Sequence, residues 1–226
     1  MPGPDPTGHL FAALRDLEAW LSTAGLPHVF VGGVAVGIVG RPRATRDVDV
    51  VVALGRQRPA DFIRRARAAG FPTRFSDAGD LARSRRVCLL RHAATGVGVD
   101  VAIADLDFQL EVIRRAVPAT LGGLSLPVAT PEDVVILKAV AFRPQDLADI
   151  ETILAVNPRI DVSRIRAFTA AFAEILETPE MLEGLERLLA RRPAAGRTRP
   201  APRPPTPARR GRGGGRRRAA RRGPSS

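Results

Sequence analysis

Two aspartates separated by one residue, Asp47 and Asp49, are the side chains best suited to chemistry in this sequence. They begin a largely apolar run, residues 47 to 53, that is predicted to be a strand, and side chains two apart on a strand project from the same face. Two such carboxylates can share a cation, and hard oxygen ligands suit Mg²⁺ or Mn²⁺. The pair indicates phosphoryl-transfer chemistry, although an isolated Asp-x-Asp pair is more often simply solvated.

Two further features lie where such chemistry would need them. Gly32 and Gly33 follow a strand predicted at residues 29 to 31 and precede a helix predicted at residues 34 to 39. A turn without Cβ atoms lets backbone N–H groups approach a phosphate at a helix N-terminus, whereas a tight turn without a ligand is the alternative. Asp100 stands alone in an apolar strand, where a buried carboxylate requires a cation or a proton.

In combination, these residues resemble the nucleotidyltransferase superfamily of the DNA polymerase β type. That superfamily has an apolar residue with two small residues, a spacer, Asp-x-Asp in a strand, and a third carboxylate on a later strand. The corresponding residues are Val31-Gly32-Gly33, a 13-residue spacer, Asp47-Val48-Asp49 and Asp100.

The chain is particularly similar to the AbiEii-like toxin nucleotidyltransferases and related small bacterial proteins. Residues 43 to 49 fit their Arg-x-Thr-x-Asp-x-Asp segment, and a later segment resembles their helical motif through Lys138, Arg143, Asp146 and Asp149. The resemblance spans about residues 10 to 156, and the arginine-rich end of the chain lies outside it. Asp146 and Asp149 share a helix face, so we expect them to pair with Lys138 or an arginine rather than to bind metal.

The resemblance implies an α+β nucleotidyltransferase fold, a mixed sheet flanked by helices, with a helical C-terminal part. It implies transfer of a nucleoside monophosphate from a nucleoside triphosphate to a hydroxyl group of RNA, protein or a small molecule, and a toxin–antitoxin system with an antitoxin partner. The implied catalytic residues and ligands of Mg²⁺ or Mn²⁺ are Asp47, Asp49 and Asp100. The implied nucleotide-binding residues are Gly32, Gly33, Arg43, Thr45 and Lys138.

Hydrophobic periodicity predicts an α/β front half and a helical back half. Predicted strands are residues 29 to 31, 47 to 53, 87 to 91 and 98 to 104. Predicted helices are residues 9 to 24, 34 to 39, 59 to 69, 108 to 117, 131 to about 142, 144 to 155, 161 to 176 and 179 to 191. Residues 71 to 86 leave a strand pair and a loop both open. We expect a catalytic core at 1 to 125, a helical part at 126 to 191 and a tail at 192 to 226.

The positive charge of the chain is concentrated in that tail. The net charge is +12, but residues 191 to 226 hold 13 arginines and no acidic residue, which leaves 22 basic and 23 acidic side chains in the rest. Lacking Leu, Ile, Val and aromatic residues, the tail is expected to be disordered. Its arginines could attach to RNA phosphates, so an alternative function is a non-catalytic nucleotide- or RNA-binding regulator tethered by its tail.

The remaining composition gives no sign of a secreted or membrane protein. A single cysteine, Cys88, excludes an internal disulfide, and the three histidines show no zinc-site spacing with it. Neither an apolar run of bilayer-spanning length nor a signal peptide is present. We therefore expect a cytoplasmic protein without a membrane partner.

Overall fold

The apolar segments of the sequence form one mixed sheet in the computed structural model, which describes residues 6–76 and 78–192. In these residues the sheet has six strands in the order β3-β4-β2-β1-β6-β5. The strands are β1 His28–Val31, β2 Asp47–Val52, β3 Val87–Arg91, β4 Gly98–Ile103, β5 Val117–Leu121 and β6 Leu124–Val128. The mixed character arises because β2 pairs parallel to β4 and β1 parallel to β6, while the other neighbours are antiparallel.

Helices flank this sheet and continue beyond it, as the sequence predicts. Over the described ranges they are α1 Pro6–Thr23, α2 Gly32–Val39, α3 Pro59–Ala68, α4 Ala78–Ser84, α5 Asp107–Arg114, α6 Pro131–Ala141, α7 Pro144–Val156, α8 Val162–Ile175 and α9 Glu180–Ala190. The predicted helices are confirmed apart from their ends. Helix α4, in the segment that the sequence left open, was not predicted.

The core lies where the predicted amphipathic helix α1 meets the centre of the sheet. Leu14, Leu17 and Leu21 of α1 are fully buried, and all four residues of β1 are buried. Each fully buried leucine contributes about 1.5–3 kcal/mol of transfer free energy. This core holds β1 and β2 firmly, and these strands carry the glycine turn and the acidic pair.

A hairpin of β5 and β6, which the sequence did not predict, follows α5, and α5 ends at Arg114 rather than at residue 117 as predicted. Its turn is formed by Gly122 and Gly123, which both have positive φ angles, of 55° and 84°. Pro118 lies opposite Pro127 in the register. Since neither proline has an N–H, this must be a pair of facing residues that exchange no backbone hydrogen bonds, so the hairpin loses none.

The sheet leads directly into the helical part. Phe30 of β1 pairs with Val128 of β6, so the sheet continues past residues 125 and 126, where the sequence suggests a boundary. Helix α6 then begins with the predicted cap: the Thr130 hydroxyl accepts a hydrogen bond from the Asp133 amide, at 3.3 Å, and proline follows at the first turn.

Two other expectations concern the ends of the chain and the membrane. The predicted disordered tail lies, beyond Arg192, outside the described residues. In the part of the chain that the structure describes, no helix has both the length and the apolar character needed to cross a bilayer.

Candidate active site

The parallel pairing of β2 and β4 brings the three predicted carboxylates to one region of the sheet. Asp49 lies opposite Asp100 in the register, and Asp47 lies opposite Gly98. Along β2, Asp47 is exposed, Val48 is buried and Asp49 is half-buried, which is the alternation expected of a strand that ends at a solvent-filled cleft.

Gly98 is a site residue that the sequence did not single out. A Cβ atom at this position would lie 2.3 Å from Oδ1 of Asp47. Only a glycine can therefore stand opposite Asp47 while the Asp47 carboxylate keeps its orientation. A glycine at the start of an apolar strand was the available signal, but it carries meaning only once the register of β2 and β4 is known.

The Gly32-Gly33 turn supports Asp49 from the other side. Gly32 has a φ of +58°, and a Cβ atom there would lie 1.9 Å from Oδ2 of Asp49. The Gly33 amide at the start of α2 donates a long hydrogen bond of 3.4 Å to the same oxygen. A Cβ on Gly33 would meet the Thr45 hydroxyl oxygen at 2.4 Å. Both predicted glycines are thus in contact with predicted site residues, and Asp49 lies at a helix N-terminus, which favours its negative charge.

Negative charge accumulates at the facing carboxylates. Burial raises the pKa of Asp49, and the nearby charges of Asp100 and Asp47 raise it further, against the Gly33 amide and the charge of Lys138. Burial also raises the pKa of Asp100, and Asp47 adds to this, although Arg74 lowers it. Asp49 and Asp100 therefore bind protons more readily than exposed aspartates do.

A group of five charged residues, the charge cluster, borders this site from the helical part. Nζ of Lys138 lies 2.8 Å from Oδ1 of Asp146 and 2.9 Å from Oδ2 of Asp149. Arg143 donates through Nε to Asp146 at 2.6 Å. Arg43 forms a two-point contact with Asp149, at 2.7 and 2.8 Å. The expectation that Asp146 and Asp149 pair with Lys138 or an arginine is confirmed.

The charge cluster also determines the ionisation of its own carboxylates. Burial alone would raise the pKa of Asp146 and of Asp149, but hydrogen bonds from Arg143, Lys138 and Arg43 outweigh burial, and both pKa values are lowered. Lys138 is buried, and two of its three N–H donors face these carboxylates. Lys138 and Arg43, which were predicted to contact the nucleotide, thus form ion pairs with carboxylates of α7.

A cleft of about 680 Å³ joins these groups. It is lined by every predicted site residue except Gly32, which contacts the Asp49 side chain instead. The lining also includes Arg46, which the sequence did not single out. Among the described residues Arg46 is exposed and has no ion-pair partner, in contrast to Arg43 three residues earlier. Within the described part of the chain, the cleft thus offers carboxylates on the sheet and, at its rim, the unpaired guanidinium of Arg46.

Arg74 is the third site residue, after Gly98 and Arg46, that the sequence did not single out. It forms an ion pair with Oδ1 of Asp100 and lies in the 71–86 segment whose structure the sequence left open. Several other arginines occur in this segment, so no local pattern distinguishes Arg74 from them.

The donor set fits a divalent cation. Three carboxylates, the oxygen ligands that Mg²⁺ and Mn²⁺ prefer, lie on adjacent strands. Burial and, secondly, neighbouring carboxylates raise the pKa of Asp49 and of Asp100, and a bound cation would stabilise their charged forms. Within residues 6–76 and 78–192, however, no group of three or more His, Cys, Asp or Glu side chains is arranged to hold a metal ion as it stands. The Asp100 carboxylate is paired with Arg74 instead.

Comparison with known structures identifies the class of fold. The antibiotic-resistance factor ANT(2'')-Ia shares 15% sequence identity with this chain, with a TM-score of 0.51 over 78% of this chain and 97% of that one. The lincosamide antibiotic adenylyltransferase LnuA shares 15% identity over 66% and 96% of the two chains, at a TM-score of 0.45. JHP933 from Helicobacter pylori shares 14% sequence identity over 84% of this chain and 85% of that one, at a TM-score of 0.41. The fold is that of the nucleotidyltransferases.

The family follows from the sequence itself. Residues 15–211 match the model of the family described as "Nucleotidyl transferase AbiEii toxin, Type IV TA system". The chain belongs to this AbiEii family and is a nucleotidyltransferase. The match extends beyond residue 156 and into the arginine-rich segment, so the resemblance is longer than the sequence motifs suggest. No curated protein sequence matches the chain.

Proposed function

We propose that this chain transfers a nucleoside monophosphate from a nucleoside triphosphate to a hydroxyl group on RNA, protein or a small molecule, in the cytoplasm and as part of a toxin–antitoxin system with an antitoxin partner. The observation that carries the proposal is the register that sets Asp49 opposite Asp100, beside the Gly32-Gly33 turn and within one cleft. Membership of the AbiEii family supports the reaction class and the toxin–antitoxin context.

In this reaction the acceptor oxygen attacks the α-phosphorus, an oxygen–phosphorus bond forms, and the bond to the β-phosphate breaks to release pyrophosphate. Asp100 takes the proton of the acceptor hydroxyl. Its pKa is raised by burial and by Asp47, against Arg74, which makes its carboxylate a stronger base than an exposed aspartate. Mg²⁺ or Mn²⁺ held by Asp47, Asp49 and Asp100 would neutralise charge that builds on the phosphates.

The cationic side chains of the cleft divide into two roles. Arg46, exposed and without an ion-pair partner in the described residues, supplies positive charge for the triphosphate at the rim. Lys138 keeps one N–H donor beyond the two that face Asp146 and Asp149, and its charge already acts on Asp49. Gly33, Arg43 and Thr45 line the same cleft, and we propose that they complete the nucleotide-binding surface.

A labelling experiment tests the proposed reaction. The full-length protein is incubated with each nucleoside triphosphate, Mg²⁺ or Mn²⁺, and separate RNA, protein and small-molecule extracts. Label in the α-phosphate is expected to move to one acceptor class, whereas label in the γ-phosphate is expected to leave with pyrophosphate. The Asp47→Asn, Asp49→Asn double variant is expected to transfer none, because it lacks two of the carboxylates.

Asp61→Asn is the matched control, because Asp61 of α3 pairs, among the described residues, only with exposed arginines, Arg58 just before the helix and Arg64 on it, away from the cleft. It is expected to transfer label like the wild type. Transfer that persists in the double variant would remove the assigned carboxylates from the mechanism. Binding of nucleotide or RNA without any transfer would favour the non-catalytic regulator instead.

We further propose that RNA is brought to the cleft by the arginine-rich segment, on the strength of its charge alone. Deleting residues 193 to 226 removes 11 of the chain's arginines. RNA affinity is expected to fall and to depend less steeply on salt, because fewer counterions are released on binding. Equal affinity and an equal salt slope in filter binding, with and without the segment, would contradict this role.

A further inference from the structure

The ion pair between Arg74 and Asp100 lies in the same row of the sheet as the carboxylates. Asp49 faces Asp100 across β2 and β4, and Leu89 of β3 faces Asp100 from the other side. The Arg74 amide donates to the Leu89 carbonyl at 2.9 Å, and Thr73 forms a bridge with Leu90. Backbone pairing with β3, rather than a chance side-chain position, therefore brings the Arg74 guanidinium to Asp100.

We propose that Arg74 is a positioning residue that holds Asp100 as a substitute counter-ion, and that binding of the divalent cation requires Arg74 to release this carboxylate. The inference rests on the proposed function, because it takes Asp100 to be a ligand of the catalytic cation. Arg74 thereby sets how tightly the free protein binds metal.

The electrostatics of the site give the ion pair this role. Asp100 is half-buried and close to Asp47 and Asp49. With neither a bound metal ion nor Arg74 beside it, its negative charge would be balanced by solvent alone. The guanidinium offsets part of that repulsion and lets the folded chain keep three acidic side chains together.

The pairing is also built to be released. Nε of Arg74 is buried and has no hydrogen-bond partner, although a buried donor left unpaired typically costs about 1–3 kcal/mol. Arg43, by contrast, uses both Nε and Nη2 on Asp149. Arg74 holds Asp100 through one nitrogen, Nη2, rather than two, so a divalent ion with greater charge can displace it.

Manganese affinity of the full-length protein, without nucleotide, tests this proposal. Free Mn²⁺ is measured by electron paramagnetic resonance in titrations of the wild type and of Arg74→Gln. Removing the competing charge is expected to tighten Mn²⁺ binding about 2- to 5-fold, as expected for loss of a partly exposed ion pair. Arg74→Lys keeps the charge and should bind close to wild type.

Two controls separate competition at Asp100 from a general effect of lost charge. Arg83→Gln removes an exposed arginine of α4 that pairs with Asp80, and it should leave Mn²⁺ affinity unchanged. In an Asp100→Asn background, Arg74→Gln should no longer tighten binding, because the contested carboxylate is gone.

Unchanged or weaker Mn²⁺ binding by Arg74→Gln, with a melting temperature close to wild type, would overturn the proposal, and so would absence of Mn²⁺ binding by both proteins. A supporting part of Arg74 in the fold alone would lower the melting temperature without tightening Mn²⁺ binding, which equally overturns it. These results are distinct from the labelling experiment. Label transfer by the wild type with no affinity change in Arg74→Gln leaves the proposed function standing, and tighter binding without label transfer leaves the role of Arg74 standing.

Discussion

Gly32→Ala is expected to lower the rate of nucleotidyl transfer by at least about 100-fold while the protein stays folded, since misplacing a catalytic group by about 1 Å can have this effect. The new methyl group would lie 1.9 Å from Oδ2 of Asp49, so the carboxylate must move. The measurement is kcat/KM with nucleotide labelled in the α-phosphate, together with the melting temperature of each protein.

Gly55→Ala isolates this steric effect from backbone strain. Gly55 has a φ of +57°, nearly equal to the +58° of Gly32, but a Cβ atom there meets nothing within 4 Å. Both variants carry the cost of a side chain in the left-handed region, roughly 1–2 kcal/mol, and only Gly32→Ala also displaces Asp49. Equal losses of activity in the two variants would show that backbone strain, and not Asp49, is responsible.

Lys138→Met is expected to lower the free energy of unfolding by about 3 kcal/mol at neutral pH. Removing one member of a buried ion pair typically costs about 3–5 kcal/mol. The lower end applies because Asp146 keeps Arg143 and Asp149 keeps Arg43. Urea unfolding curves, extrapolated to water, measure the difference, and Arg166→Met is the control, because it breaks an exposed pair with Glu186 and should unfold like the wild type.

Lowering the pH should reduce the loss of unfolding free energy that Lys138→Met causes. In the wild type the pKa values of Asp146 and Asp149 are lowered, since hydrogen bonds from Arg143, Lys138 and Arg43 outweigh burial. Their stabilisation is therefore present above the pKa of an unfolded aspartate and is lost as the pH falls through the lowered values. The difference between wild type and Lys138→Met should narrow as the pH is lowered below about 4. If Lys138→Met lowered the free energy of unfolding at neutral pH no more than Arg166→Met does, the stabilising role of Lys138 would be contradicted.

Local sequence patterns predicted the elements better than the contacts between them. Alternation along β2 is enough to place Asp47 and Asp49 on one face, and the Thr130 cap is visible in four consecutive residues. Whether Asp49 faces Asp100 depends on a register between strands about 50 residues apart, which no local pattern contains. The family resemblance supplied that link.

The parts that the sequence missed have physical reasons of the same kind. The prolines of β5 and β6 argue against strands when each segment is read separately, and they become acceptable only when Pro118 faces Pro127. Arg74 gains its meaning from hydrogen bonds to β3, a non-local partner. Lys138 was expected to contact the nucleotide and was one of the partners expected for Asp146 and Asp149, but only the packing of α6 against α7 shows that it pairs with both carboxylates.

The contact between Arg43 and Asp149 limits how this enzyme can be re-engineered. Arg43 precedes β2 in the front half and Asp149 belongs to α7, yet the two form a two-point ion pair at the edge of the cleft. A chimaera that takes its sheet from one family member and its helices from another must inherit both residues as a matched pair. A truncated enzyme that ends after β6 would leave Arg43 without its anchor and Asp49 without the field of Lys138. The smallest transferable unit therefore includes α6 and α7.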